Sequence, residues 1–357
     1  MHIVATGAHL TYPHANGFHD DRLVLARYEP GVGATGLVSV RRREEERGPG
    51  GGGGLDEWPV ATIAPRRDGV VRPAYPDVAR GTGRTVWIWD DVLYIADRPG
   101  SVERVYQAPP GSALQDLCSV TADGGQVAMT LETGDERTCL RLDLATGALT
   151  EVFTMSWFAN HVHHCPYDES WLAFSHEGPA RDTPDRMWAW HDDTARCVLD
   201  QAAISDTTGA FVAVGHERWL FHDLGAAVIG YGESAAGPRG LYFVHPDDRP
   251  PVLVGAGDRF WHCDVSRDGR WAAVDTTGPS DLPGRGWQDA GGVSDVLLID
   301  VASGDRVRLA RTPASSHPYH PHPVFSPEGD VVLFNSTEPD GAVAVTAVRN
   351  PLCTSTT

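Results

Sequence analysis

The sequence predicts an all-β protein, a seven-bladed β-propeller, and three observations support this fold class. Short β-rich segments such as TVWIWDDVLYIA, WLAFSH and DVVLFNST recur between Gly, Asp, Pro and Ser, while helical periodicity is almost absent. A unit of strands and turns repeats at a spacing of about 45 residues, which is typical of a four-stranded propeller blade. Five clear copies and two weaker ones together predict seven blades.

In chain order the weaker copies come first, around residues 14–48 and 82–108. The clear copies follow, and each is recognised by the turn that opens its apolar second strand: VTADGG, CPYDES, FHDLG, SRDG and SPEG. The last copy is one strand short. The N-terminal segment MHIVATG is therefore predicted to close the ring as the missing strand of the last blade.

We predict a single domain over residues 1–357. The glycine-rich stretch RGPGGGGGLDE, with Gly48 to Gly54, is interpreted as a flexible loop between blades and not as a linker between domains. A pair of β-sandwiches is the alternative architecture, and the repeat disfavours it.

The net charge of −19 and the complete absence of lysine restrict the possible partners. Nucleic acids and anionic membranes require basic patches, so neither is expected. An anionic ligand needs a few placed arginines or a metal, because the overall field repels it. The N-terminus lacks the features of a signal peptide, no apolar stretch reaches about 18 residues, and the six cysteines form no CxxC pair. We expect a cytoplasmic protein with reduced thiols.

The 16 histidines concentrate just before the turns of successive copies, and this position suggests a metal site. The inner strands of a propeller converge on its axis, so side chains at equivalent positions in different blades meet in one bowl. Several converging imidazoles favour a transition metal over calcium or magnesium. His320 and His322 lie two residues apart and share one face of a strand. The alternative is a set of solvated or hydrogen-bonded histidines without a metal.

Four stretches resemble the oligogalacturonate lyases, a family of cytoplasmic seven-bladed propellers that degrade pectin fragments. HVHHCPYDESWLAFSHEGP (161–179) is similar to the family segment H-P-Q-F-S-P-x-D…H-E-G-P, DRMW (185–188) to D-R-I-W, GHERW (215–219) to G-H-E-F-W, and WHCDVSRDGRWAAVD (261–275) to H-F-N-V-S-R-D-G. The resemblance extends over about residues 155–345. It departs from the family pattern at His163, His164 and Arg218, where Arg218 replaces an aromatic residue.

The resemblance implies a metal site with one unusual ligand. The family holds a manganese-type ion with three histidines and a glutamine, which correspond here to His262, His320 and His322, with His317 at the glutamine position. Manganese is the first expectation for the metal. An all-imidazole set also suits iron, nickel or zinc.

The same resemblance assigns catalytic roles to His216, as the base, and to Arg186, as the group that binds the substrate carboxylate. Structural alternatives exist for both: His216 as a hydrogen-bonding residue between blades, and Arg186 as the ion-pair partner of Asp185 or Asp182. His161 and Trp261 are weaker candidates for substrate contact, with structural and packing roles as their alternatives.

The sequence therefore leads to three functional hypotheses. The first is a metal-dependent lyase that performs β-elimination on a uronate oligosaccharide, with a histidine base and a metal that neutralises the substrate carboxylate. The second is the same bowl used in specialised metabolism for elimination, isomerisation, epimerisation or cyclisation of a carboxylate or dicarbonyl compound. The third is a propeller that binds a ligand without catalysis.

Overall fold

The computed structural model describes residues 2–10, 17–42, 55–276, 292–315, 318–338 and 341–353. Within these ranges there is no helix, and 29 strands form seven antiparallel sheets. The predicted all-β, seven-bladed propeller is confirmed. Gly48 to Gly54, the predicted loop between blades, lies outside the described residues.

The first three blades contain the two weaker repeats and the first clear one. Blade 1 consists of β2 (Ala8–His9), β3 (Phe18–His19), β4 (Arg22–Glu29), β5 (Gly33–Arg42) and β6 (Leu55–Thr62). Blade 2 consists of β7 (Asp77–Val78), β8 (Thr85–Trp89), β9 (Val92–Ala96) and β10 (Val102–Gln107). Blade 3 consists of β11 (Ala113–Val120), β12 (Gln126–Thr133), β13 (Glu136–Asp143) and β14 (Leu149–Met155).

The next three blades carry the histidine-rich turns. Blade 4 consists of β15 (Ala159–His164), β16 (Leu172–His176), β17 (Met187–His191) and β18 (Thr194–Cys197). Blade 5 consists of β19 (Val214–Trp219), β20 (Ala226–Gly230), β21 (Gly240–Val244) and β22 (Val252–Ala256). Blade 6 consists of β23 (Cys263–Val265), β24 (Trp271–Asp275), β25 (Val293–Asp300) and β26 (Arg306–Pro313).

Blade 7 is built from both ends of the chain. It consists of β27 (Val324–Phe325), β28 (Val331–Thr337), β29 (Val343–Arg349) and β1 (His2–Thr6). The N-terminal β1 pairs antiparallel with β29, where His2 faces Ala347, and forms the outer strand of the sheet. This pairing joins the first and last parts of the described chain in one blade.

The core lies between neighbouring blades, and this explains the continuous apolar second strands. Both faces of a blade are covered by other blades, so β8, β20 and β24 are buried along their whole length. The outer strands β10 and β14 are exposed at several positions and carry charged residues. Apolar clusters accordingly span two blades; Ala227 and Ala272, for example, belong to the same cluster.

Neighbouring blades are also tied together near the axis by hydrogen bonds of one recurring type. A polar side chain on an inner strand accepts a bond from a backbone N–H of the inner strand of the next blade. Three bonds follow this pattern: Val120 N–H to Asp77 (2.8 Å), His164 N–H to Ser119 (3.1 Å) and Phe325 N–H to Asp264 (2.8 Å). These bonds satisfy backbone donors that would otherwise be buried without a partner.

Arg218, which stands where an aromatic residue was expected, belongs to this inner layer. Its Nη2 lies 2.9 Å from Oδ1 of Asp264, and the two side chains are only 8% and 4% exposed. The other carboxylate oxygen of Asp264 accepts the Phe325 bond. One carboxylate therefore links blades 5, 6 and 7.

All six cysteines are free thiols, as the sequence predicted. Among the described residues, no helix is long and apolar enough to cross a membrane.

Asp264→Ala is expected to destabilise the protein by about 3–5 kcal/mol, because it leaves the buried Arg218 guanidinium without its counter-charge. Urea denaturation measures this loss. Asp305→Ala, on the exposed surface of the same blade, serves as the control and should change stability by less than about 0.5 kcal/mol. Equal stability of the two variants would show that the buried pair does not hold the blades together.

Candidate active site

A central cavity of about 840 Å³ contains the predicted functional residues. Residues within or just before blades 2 to 7 line it, so it spans the axis of the propeller. Seven of the eight predicted residues lie on its wall: His161, Arg186, His216, Trp261, His262, His320 and His322. The eighth, His317, lies outside the described residues.

Four of these histidines occupy the same place in four successive blades. Each stands four residues before the residue whose N–H closes the turn between the first and second strands. The pairs of histidine and turn residue are His161 and Cys165, His216 and Leu220, His262 and Ser266, and His322 and Ser326. Equivalent positions in a ring of blades lie at the same level, which is why the four imidazoles reach one cavity.

The backbone at three of these histidines adopts the left-handed conformation. The φ angles are 59° at His161, 53° at His216 and 44° at His322. The strand register also shifts around the first two, between Asn160 and His163 and between Gly215 and Arg218. Such a bulge changes the direction of a side chain. The left-handed conformation is strained for a non-glycine residue, and residues that keep it cluster at functional sites, where the surrounding structure holds them.

His262, His320 and His322 form a group of three ligands, here called the histidine triad, that fits a metal ion. One ring nitrogen from each lies within 4.8 Å of the other two. The ring centroids of His262 and His322 are 3.7 Å apart, and that of His320 lies 5.2 Å from His262. Three converging imidazoles suit manganese, iron, nickel or zinc better than calcium or magnesium.

Asp275, at the end of β24, holds two members of this group in place. Its Oδ2 accepts a 2.7 Å bond from Nδ1 of His262, and its Oδ1 accepts the His262 backbone N–H at 2.9 Å. The His322 backbone N–H also donates to Oδ2, at 3.1 Å. A carboxylate on Nδ1 fixes the tautomer and leaves Nε2 as the ligand atom, which is the usual support for a metal-binding histidine.

Asn335 plays a similar part for His320. Its side-chain amide donates to the backbone oxygen of His320 at 2.9 Å, and its backbone N–H donates to Pro321 at 2.7 Å. Its Oδ1 accepts the N–H of Leu10, so the same residue also anchors the chain just after β2 of blade 1. Hydrogen bonds from Asn335 therefore hold the segment around His320 and Pro321, where regular strand pairing is missing.

His216 lies directly beside the triad. Its ring centroid is 4.2 Å from that of His262, and it contacts the edges of Tyr231 and Trp261. Burial and the neighbouring His262 hold the pKa of His216 well below its usual value, so the ring is neutral at neutral pH. Gly215 is required here, because a Cβ at that position would collide with the hydroxyl of Tyr231.

Arg186 pairs with Glu177, and not with Asp185 or Asp182. Its Nη2 donates to Oε2 of Glu177 at 2.6 Å, and its Nη1 donates to the Gly178 carbonyl at 2.8 Å. Burial alone would lower its pKa, but Tyr231 and Glu177 outweigh that effect and raise it. The guanidinium is thus permanently charged and held in a fixed orientation on the cavity wall.

His161 lies between two carboxylates. Its Nδ1 donates to Oε1 of Glu217 at 3.2 Å, and its Nε2 lies 3.7 Å from Oε1 of Glu177. Burial alone would lower the pKa of His161 and raise that of Glu217. The opposite charges outweigh burial, so the pKa of His161 is raised and that of Glu217 is well below its usual value.

The two histidines that depart from the family pattern have structural surroundings. His163 donates from Nδ1 to the His161 carbonyl at 2.7 Å, and His164 donates from Nδ1 to the Glu169 carbonyl at 3.2 Å. Burial lowers the pKa of both to about 4. They are neutral residues of the blade interior and do not line the cavity.

Sequence reasoning missed three buried polar residues that support the site: Ser175, Asp275 and Asn335. None of them is exposed at all. Each is the last residue of a matching five-residue segment in the second strand region of its blade: WLAFS, WAAVD and VVLFN. A polar residue at the same place of an otherwise apolar repeat is the signal that would have found them, because a buried polar group needs a partner.

Two curated relatives are similar to part of this chain. The oligogalacturonate lyase of Dickeya dadantii is 24% identical over 222 residues, which are 59% of this chain and 55% of the relative. The oligogalacturonide lyase of Pectobacterium atrosepticum is 25% identical over 224 residues, with the same coverage. The match thus spans about half the length of each relative. No protein-family model matches the chain.

Solved structures of the same kind of protein share the fold over nearly the whole chain. An oligogalacturonate lyase in complex with manganese aligns with a TM-score of 0.73 at 17% identity, covering 97% of this chain and 91% of the other. The oligogalacturonate lyase of Vibrio parahaemolyticus aligns with a TM-score of 0.76 at 15% identity, covering 98% and 92%. The resemblance inferred from the sequence is confirmed.

Asp275→Asn is expected to weaken metal binding by about 10–100-fold, because the amide no longer provides a negative charge behind the His262 ring. Competition with a chromogenic chelator measures the affinity, and thermal unfolding checks that the variant folds. Asp295→Asn, on the partly exposed β25 of the same blade, should bind metal like the parent protein. Unchanged affinity in Asp275→Asn would contradict the supporting role of this carboxylate.

Proposed function

We propose that the protein is a metal-dependent lyase that cleaves a uronate-containing oligosaccharide by β-elimination. The observation that carries this proposal is the convergence, in one cavity, of three imidazoles that fit a metal, a fourth imidazole beside them and a fixed guanidinium. The similarity to oligogalacturonate lyases supports the same chemistry.

Elimination from a uronate requires that the proton at C5 be removed next to a carboxylate. A divalent metal, when bound, would neutralise this carboxylate and stabilise the negative charge that develops as the proton leaves. His262, His320 and His322 would hold it, and we propose manganese first because a structurally similar lyase contains it. His317, outside the described residues, stays a predicted fourth ligand.

His216 is proposed as the base. It lines the same cavity as His262, His320 and His322, with its ring centroid 4.2 Å from that of His262, so it would lie close to a sugar whose carboxylate sits at those three histidines. A neutral ring accepts a proton on one nitrogen, and the left-handed backbone at His216 aims the ring into the cavity.

Arg186 is proposed to orient the substrate carboxylate by charge-assisted hydrogen bonds. Glu177 and the Gly178 carbonyl hold the guanidinium from behind, which prevents it from turning away when the substrate is absent. An orientation fixed in advance reduces the entropy that is lost when the substrate binds.

A second candidate, the conversion of a smaller carboxylate or dicarbonyl compound, is favoured by the opposite wall of the cavity. Arg66 and Arg72 both pair there with Asp116. In total seven carboxylates and four guanidinium groups line the cavity. A long polyanion finds few unpaired cations on such a wall, whereas a ligand with one or two carboxylates needs only the metal and Arg186.

The manganese-loaded protein is expected to produce growing ultraviolet absorbance from galacturonate oligomers, because elimination creates a 4,5-unsaturated uronate. Chelation should abolish the signal, and His216→Asn should reduce kcat by about 10²–10⁴-fold. Asparagine is chosen because it tolerates the left-handed backbone. His222→Asn, in the same blade outside the cavity lining, is the control. Oligomers left untouched by the loaded protein would reject this function and favour the second candidate.

Metal analysis is expected to find one ion per chain, and His320→Ala should reduce this content strongly, because two imidazoles hold a metal much less tightly than three. Elemental analysis of the dialysed proteins measures both values. Unchanged metal content in His320→Ala would show that the ion binds elsewhere.

A further inference from the structure

His161 occupies a position that the roles proposed so far leave unused. It stands at the place in blade 4 that His216 occupies in blade 5, and both line the cavity. Nδ1 of His161 donates to Glu217, and its Nε2 lies 3.7 Å from Oε1 of Glu177. The side chain is 18% exposed, so a ligand in the cavity can reach it.

The charges around His161 favour a protonated ring. Glu217 and Glu177 face it from β19 and from the segment after β16. Arg186 pairs with Glu177, His216 on blade 5 interacts with His161 electrostatically, and neutral His163 follows on its own strand. The two carboxylates together outweigh burial and Arg186, so the pKa of His161 is raised.

The proposed elimination would be accelerated by such a group. When the bond between C4 and the glycosidic oxygen breaks, the departing sugar carries the electron pair as an alkoxide, which is a poor leaving group unless it receives a proton. We propose that His161 is the general acid that protonates this oxygen, a role that rests on the proposed lyase function.

The step balances in protons and electrons. The C5 proton passes to His216, the electron pair left at C5 forms the C4–C5 double bond, and the C4–O bond breaks with its pair going to oxygen. The oxygen takes the proton from Nε2 of His161. One imidazole gains a proton and the other loses one, and exchange with water restores both.

Two other proton-carrying groups on the cavity wall, Tyr231 and Arg186, are poorer acids. Burial raises the pKa of Tyr231 well above its usual value, so its hydroxyl gives up a proton reluctantly. Arg186 retains its protons because its pKa is raised further. His161 alone among these three combines a raised histidine pKa with a place on the cavity wall.

The test uses the full-length, manganese-loaded protein, trigalacturonate and D₂O. His161→Asn suits the left-handed backbone at this position. It should reduce the kcat of elimination by about 10²–10⁴-fold with little change in KM. Recovered trigalacturonate should nevertheless gain deuterium at C5, seen by mass spectrometry, because His216 still removes that proton and the intermediate takes up deuterium when the C4–O bond fails to break. His191→Asn, in the same blade but outside the cavity lining, should eliminate like the parent.

Each outcome separates this inference from the proposed function. Elimination by His161→Asn within about tenfold of the parent overturns the acid role. Loss of deuterium uptake in parallel with elimination also overturns it, because His161 then serves binding or structure. A parent protein that neither eliminates nor exchanges rejects the proposed function, and this inference with it.

A second variant gives a readout that a structural role would not change. Glu217→Gln keeps an oxygen for the His161 and Ser175 hydrogen bonds but removes the negative charge. The pKa of His161 should fall, so the alkaline limb of the pH–kcat profile should move to lower pH. A limb that stays in place contradicts proton donation by His161.

Discussion

The rest of the site depends on the hydrogen bonds of the Asp275 carboxylate. One oxygen accepts from the His262 backbone, and the other accepts from the His262 ring and from the His322 backbone. The carboxylate fixes one imidazole completely and positions the segment that carries the other two. A buried carboxylate is stable only with several donors, and the described residues provide Asp275 with three hydrogen bonds: two from His262 and one from His322. The ligands of blades 6 and 7 are therefore set against each other by one buried group before any metal arrives.

The other side chains proposed to act in the site are also held or tuned by buried neighbours, which carry charges of different sign. Ser175 and Glu217 support His161, Glu177 supports Arg186, and burial with few ionic partners leaves His216 neutral. Two imidazoles at equivalent places in neighbouring blades thus differ in protonation only through their surroundings. The repeat places His161 and His216 at equivalent positions, and the residues around each ring determine its protonation state.

The fold and the convergence of the histidines were predictable, because both depend on the period of the repeat, whereas Arg186 was assigned through the family resemblance. His216 and His262 could be placed together from their distance to the next turn. The ion-pair partners of the arginines could not be assigned in the same way. Arg186 pairs with Glu177 and not with the adjacent Asp185, and Arg218 pairs with Asp264 of another blade. Such choices depend on local bulges and on contacts between blades, which a single sequence does not reveal.

The pairing of β1 with β29 has a consequence for the order in which the site is built. Blade 7 carries His320 and His322, and its sheet is complete only when the first strand of the chain meets the last. During synthesis the earlier blades emerge with an open gap between blades 6 and 1, and β1 has no partner until the end. The three imidazoles that fit a metal ion therefore come together only once blade 7 has formed and the ring has closed.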